Sequence, residues 1–171
     1  MESRAKLLGH PVHPMLIVFP LGLLATAVAF DIVGLAQGDT FWFGISFWMI
    51  AGGIVGGLLA AVFGFIDWIA IPGGTRAKRI GLLHGLTNAV VVLLFIASWL
   101  IRTGTGVPTV TALVLSFVAV FLAAIGGWLG GELVDRLGVG VDNGAHLNAP
   151  NSLSKRHASE PPSEYKLPKA G

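Results

Sequence analysis

The chain contains no cysteine. That excludes disulfides, thiolate zinc sites, iron–sulfur clusters built on this chain and a covalently attached c-type haem. Any metal or haem has to be held by histidine, carboxylate or methionine. Charge is scarce as well. Only 12% of the 171 residues are Asp, Glu, Lys or Arg, against about 25% in a soluble globular domain, so the polar cover of a water-facing surface is missing. No nucleophile elbow, P-loop, Gly-x-Gly-x-x-Gly or His-Glu-x-x-His is present, which leaves conventional enzymatic chemistry no foothold. What the chain does have is apolar residues. They make up 54% of it, the mean hydropathy is +0.78, and they are concentrated in long runs, which points to a membrane protein in contact with a lipid bilayer. The net charge of +2 and the isoelectric point near 9.3 read as topology signals rather than as a nucleic-acid footprint, because of where the basic residues stand.

Four runs are long enough to cross a hydrocarbon core: Met15 to Leu35, Phe41 to Ile71, Gly81 to Ile101 and Thr109 to Leu133. The expected fold is all-α, a four-helix transmembrane bundle over residues 14–138. An N-terminal segment (1–13) precedes it, and a flexible, disordered C-terminal tail (139–171) containing Pro150, Pro161, Pro162 and Pro168 follows. Pro14 suits a first helical turn, and Pro20 should kink the first helix. The basic start, the apolar stretch and the triplets Ala25-Thr26-Ala27 and Ala27-Val28-Ala29 also fit a cleavable signal peptide loosely. The interruptions at His10, Pro11, His13 and Pro14, and the run continuing past the cleavage point, favour a retained helix. Trp42, Trp48, Trp68, Trp99 and Trp128 fit interfacial belts.

With four spans, ten of the eleven Lys and Arg residues fall on one side and only Arg102 on the other. That asymmetry predicts both termini in the cytoplasm and an inner-membrane, multi-pass location. A faint repeat is present too. Gly52, Gly53, Gly56 and Gly57 in the second run recur as Gly126, Gly127, Gly130 and Gly131 in the fourth, a small-residue pattern suited to close helix packing. Two similar hairpins would make His13 and His84 equivalent and facing, would make Asp31 and Arg102 equivalent, and would bring the second and fourth helices together.

Odd-numbered helices start inside and even-numbered helices end inside. His10, His13, Asp67, His84, Glu132 and Asp135 therefore share one depth, with Asn88 one turn beyond His84 and Asp31 near the opposite end. Ionisable groups at membrane depth are costly and mark candidate sites. His10, His13, Asp67, His84 and Glu132 can ligate a divalent metal. His10, His13 and His84 can supply axial ligands to a b-type haem. The same layer can relay protons. Blander readings stand beside these. The histidines can hydrogen-bond to backbone. Asp67 and Glu132 can pair with Arg76, Lys78, Arg79 or Arg136. His84 and Asn88 can act as interhelical polar glue. Asp31 can pair with Arg102 at the outer interface.

Gly9-His10-Pro11-Val12-His13-Pro14, Phe30-Asp31-Ile32-Val33-Gly34, Gly64-Phe65-Ile66-Asp67-Trp68, His84 with Asn88, Gly130-Gly131-Glu132-Leu133-Val134 and Gly138-Val139-Gly140-Val141 occur in this order. The chain thereby resembles the domain-of-unknown-function 2231 family of bacterial four-helix membrane proteins over about residues 7 to 142. Asp135 departs from the pattern, which carries an aromatic there. Some relatives place a Rieske-type iron–sulfur domain after the four helices, which implies a link to electron transfer; this chain lacks the cysteines to build one. The leading expectation is a redox-linked membrane subunit that binds haem or metal through its histidines, alone or with a redox partner or second copy. The alternatives are a small transporter or proton-coupling protein, and a scaffold or partner subunit without chemistry of its own.

Overall fold

The computed structural model describes residues 1–154 and 156–161. Lys155 and residues 162–171, which fall within the expected tail, lie outside the described residues. The fold is all-α apart from one two-residue ladder, β1 (Lys6–Leu7) against β2 (His10–Pro11), antiparallel with Lys6 opposite Pro11 and Leu7 opposite His10. Leu8 (φ 51°) and Gly9 (φ 85°) make its two-residue turn. Both turn residues are left-handed, as a tight right-twisting hairpin requires, and Leu8 adopts that conformation at some steric cost.

The helices are α1 (Val12–Leu16), α2 (Val18–Gln37), α3 (Thr40–Ala70), α4 (Arg76–Leu100) and α5 (Val110–Gly131), the last running into a π-helical turn (Glu132–Arg136). They form four stretches long and apolar enough to cross a membrane: Val12–Gln37, Thr40–Ala70, Arg76–Leu100 and Val110–Arg136. Where Pro20 was expected to kink the first helix, α1 and α2 meet at Ile17, whose backbone stays helical and whose N–H donates to His13 O (3.1 Å). Proline has no N–H, so the carbonyl four residues earlier, that of Leu16, loses its donor. The third stretch begins five residues before its apolar run, because Thr75 caps α4 by accepting from Lys78 N (3.1 Å). Asp39 and Thr109 cap α3 and α5 in the same way. Lys78 then folds back, donating to the carbonyls of Trp68 (2.7 Å) and Ile69 (3.2 Å) at the end of α3, with its ammonium 4.1 Å from the Trp68 ring centroid.

The buried core centres on one cluster of Leu24, Ala27, Val28, Ile50, Ile54, Val91, Phe95 and Ala119. Most other apolar side chains point outward, among them Phe19, Trp48, Leu93, Phe121 and Trp128. Helices that are apolar all round and bury so little of themselves need lipid as their solvent.

The packing departs from the glycine-based expectation. Each helix packs chiefly on its sequence neighbour, α2 on α3 and α4 on α5, with α3 also meeting α4 and α2 meeting α5. The α3 glycines serve the first hairpin: a Cβ at Gly53 would stand 2.5 Å from Leu24 Cδ2, and one at Gly56 3.2 Å from Pro20 Cδ. Gly126 and Gly130 serve the second, against Asn88 and His84, whereas Gly127 and Gly131 meet nothing within 4 Å. Short connections force antiparallel neighbours, and the glycines that make close contacts do so mostly within their own hairpin, a Cβ at Gly57 instead reaching Val92 on α4 (3.2 Å).

Candidate functional site

His13 lies on α1 and His84 on α4, and the fold brings the two half-buried rings together. Their centroids are 6.2 Å apart and their planes stand at 89°. His13 Nδ1 is 2.8 Å from the carbonyl oxygen of Ala60 on α3, and His84 Nδ1 is 2.9 Å from that of Gly126 on α5. A carbonyl oxygen can only accept, so Nδ1 carries the hydrogen in both rings. In a neutral imidazole that leaves Nε2 with its lone pair. Neither Nε2 has a hydrogen-bond partner among the described residues. Neither is sealed in: Trp99 Nε1 is the one buried, unpaired side-chain N or O there.

The two halves repeat this arrangement. One turn beyond Ala60 and Gly126 stand Gly64 and Gly130, where a Cβ would lie 2.9 Å from His13 Cε1 and 3.2 Å from His84 Cε1 respectively. Each ring thus lies against bare backbone of the next helix. Asn88, expected beside His84, donates from Nδ2 to the His84 carbonyl (2.8 Å).

The remaining members of the expected ligand set are engaged elsewhere. His10 is exposed on β2, with Nε2 3.1 Å from Ser152 Oγ. Asp67 receives the Ser3 hydroxyl (2.8 Å to each oxygen) and the amides of Arg4 (2.8 Å) and Ala5 (3.4 Å). Glu132 pairs with Arg76 (2.5 Å), and Asp135 is exposed. Among the described residues, no group of three or more His, Asp or Glu is arranged to hold a metal ion. His10, Asp67 and Glu132 therefore do not join His13 and His84. Equal depth carries all of them to one end of the bundle, but each has a nearer hydrogen-bonding partner.

A second polar layer lies toward the other end. Asp31, expected at the outer interface, is fully buried, and Arg102 is 7% exposed. Arg102 grips Asp31 bidentately (Nη1–Oδ1 2.8 Å, Nη2–Oδ2 2.7 Å). It also donates to Ser98 (3.2 Å), Ser46 (3.3 Å) and Ser116 (3.1 Å). Ser98 meets Ser116 (2.8 Å) and donates to the Ala112 carbonyl (2.7 Å). Such complete pairing is what a buried guanidinium–carboxylate pair requires. Sequence reasoning missed the three serines, yet a signal was there: the second, third and fourth runs contain one serine each, and the first contains Asp31 in its C-terminal half. Between the layers lies the apolar core of Leu24, Val28, Ile50, Ile54, Val91 and Phe95.

Comparison with known families finds that the DUF2231 model, described as a predicted membrane protein, matches residues 9–143. No curated protein and no solved structure is matched.

Proposed function

We propose, for a chain that belongs to the DUF2231 family of predicted membrane proteins, that the facing His13–His84 pair would hold a redox-active haem. The observation that carries this reading is the 6.2 Å ring separation, with both Nδ1 atoms tied to carbonyls and both Nε2 atoms unpaired. An imidazole nitrogen bonds a first-row ion at about 2.0–2.1 Å, so two imidazoles on opposite sides of one ion stand about 6.4 Å apart centroid to centroid, and at a tetrahedral angle about 5.2 Å apart. The observed 6.2 Å lies in the range at which two imidazoles share one ion. Fixing Nδ1–H on a carbonyl sets the tautomer and the ring orientation, as ligating histidines require. Gly64 and Gly130 leave room for each ring beside a helix backbone.

Bound there, a b-type haem supplies one-electron transfer. The protein's own part is to orient two neutral imidazoles, to hold their protons on the carbonyl side and to keep the pair at one end of a bundle whose middle is apolar. That apolar middle argues against the proton-coupling and transport readings. His13 and Asp31 are separated by roughly 27 Å of helix at 1.5 Å per residue, and Ile50 and Phe95, both fully buried, lie among the side chains packed between the layers. The reading includes both termini in the cytoplasm of an inner-membrane protein, on the strength of the basic-residue asymmetry. Arg102, buried against Asp31, does not act as an outward topology charge.

The test is the optical spectrum and iron content of the full-length protein purified with haem supplied during expression. A Soret band that His13→Ala and His84→Ala each abolish, while the protein stays folded, is the expected result. A folded protein with neither a Soret band nor iron would overturn the reading and leave the Nδ1–carbonyl bonds as interhelical glue in a scaffold.

A further inference from the structure

His13 is weakly anchored by its own helix. α1 is five residues long, buries none of them and is joined to α2 through Ile17, where the ladder loses the Leu16 carbonyl's partner to Pro20. Part of what fixes its approach lies in residues 1–11. Val12 N donates to Ala5 O (2.9 Å), and the β1–β2 hairpin spans the residues between them. Besides the Ser152–His10 contact, this strap is fastened at two points. On α3, the Asp67 carboxylate collects the Ser3 hydroxyl and the Arg4 and Ala5 amides, one turn beyond the Gly64 backbone against which His13 rests. Beyond α5, Gly140 N donates to Met1 O (2.8 Å) and Asn143 N to Glu2 (3.1 Å). Lys6 bridges Glu2 (2.9 Å) and Asp142. The strap's turn is strained and only partly covered: Leu8 is 70% exposed and in the left-handed region, while Gly9 and His10 lie against Ser152. A strained conformation of this kind persists only while its surroundings hold it.

We propose that residues 1–11 form a detachable clasp over the histidine end of the bundle, with Asp67 as its catch, and that releasing the catch frees His13 from His84. The fastenings, including the Ser152–His10 contact, are polar, so opening costs local hydrogen bonds and leaves the apolar core intact. Low-stability segments over sites have this construction. The clasp rests on the haem reading only for its consequence, access to the histidine pair. Its existence is tested without haem.

The test uses the full-length protein in lipid nanodiscs, comparing the unmodified chain with Asp67→Asn and with Lys6→Gln, which loosens the far fastening without touching the bundle. Amide exchange at Arg4, Ala5 and Val12 should rise about tenfold or more in Asp67→Asn, the loss of hydrogen bonds to a charged acceptor, and severalfold in Lys6→Gln. Exchange in the middle of α3 and α4 should stay unchanged, and acylation of His13 by diethyl pyrocarbonate should speed up in parallel. Strap exchange within twofold of the unmodified chain in both variants would overturn the proposal. So would a rise shared equally by α3 and α4, which would make Asp67 a residue of global stability. If Asp67→Asn does not fold, Lys6→Gln alone decides between the same outcomes. A working clasp in a protein without a Soret band would retain this inference and reject the haem.

Discussion

Removing Asp31 alone should cost far more than removing it together with its partner. Asp31→Ala leaves the Arg102 guanidinium buried, with only three serine hydroxyls to receive its protons. The lost contacts are two charge-assisted bonds of 2.8 and 2.7 Å. Hydrogen bonds to charged groups contribute about 1.5–3 kcal/mol each, and stripping one partner from a buried pair costs about 3–5 kcal/mol. We expect a loss of about 3–5 kcal/mol for Asp31→Ala and a similar loss for Arg102→Ala. The double variant should lose about 3 kcal/mol less than the sum of the two, because no uncompensated charge remains. Steric trapping or detergent-titration unfolding in bicelles gives the three free energies and closes the cycle. Single losses below about 1 kcal/mol, or additivity within about 0.5 kcal/mol, would refute the claim that this pair is a desolvated, interdependent unit. The layer would then be wet, and the seal between the two ends of the bundle would have to be reconsidered.

Gly64→Ala should displace His13, since its methyl would stand 2.9 Å from the ring. A loss of about 1–3 kcal/mol is expected, with a shifted His13 imidazole resonance. Gly131→Ala meets open space and should be neutral or stabilising by up to about 1 kcal/mol from helix propensity, so equal effects at the two glycines would contradict the packing. The clasp has a defined pH window. Lys6 holds the Glu2 carboxyl below its usual 4.5, so Glu2's contribution is complete above that value and is lost as pH falls through the lowered one. Asp142, then Glu2, hold the Lys6 ammonium above its usual 10.5, so its contribution is complete below 10.5 and is lost as pH climbs through the raised value. An NMR titration that places the Glu2 midpoint at or above 4.5 would rule the fastening out.

Much of the site was legible from pattern. The facing of His13 and His84 follows from reading the chain as two similar hairpins, whereas the Asp31–Arg102 pair was expected at the outer interface and is buried instead. Depth was a poorer guide. It grouped His10, Asp67 and Glu132 with the histidines, yet a carboxylate at a helix end takes the nearest free donor. For Asp67 that donor is the amide-rich turn of Ser3 to Ala5, and for Glu132 it is Arg76. The strap itself had no sequence signal beyond the prolines, because its contacts run from residues 1–6 to residues 67 and 138–143.

By itself, the sequence determined the solvent and the count of spans. Four long apolar runs with almost no charge can satisfy their backbone in lipid only as helices, and loop prolines, glycines and capping residues mark where those helices stop. Only the tertiary structure decided which polar groups share a site. Helix rotation sends Asp31 to the interior, closes the α3 glycines on α2 and leaves Gly127 and Gly131 facing outward. Rotation is set by side-chain packing summed over whole helix faces, a quantity that uniformly apolar helices do not reveal through their periodicity.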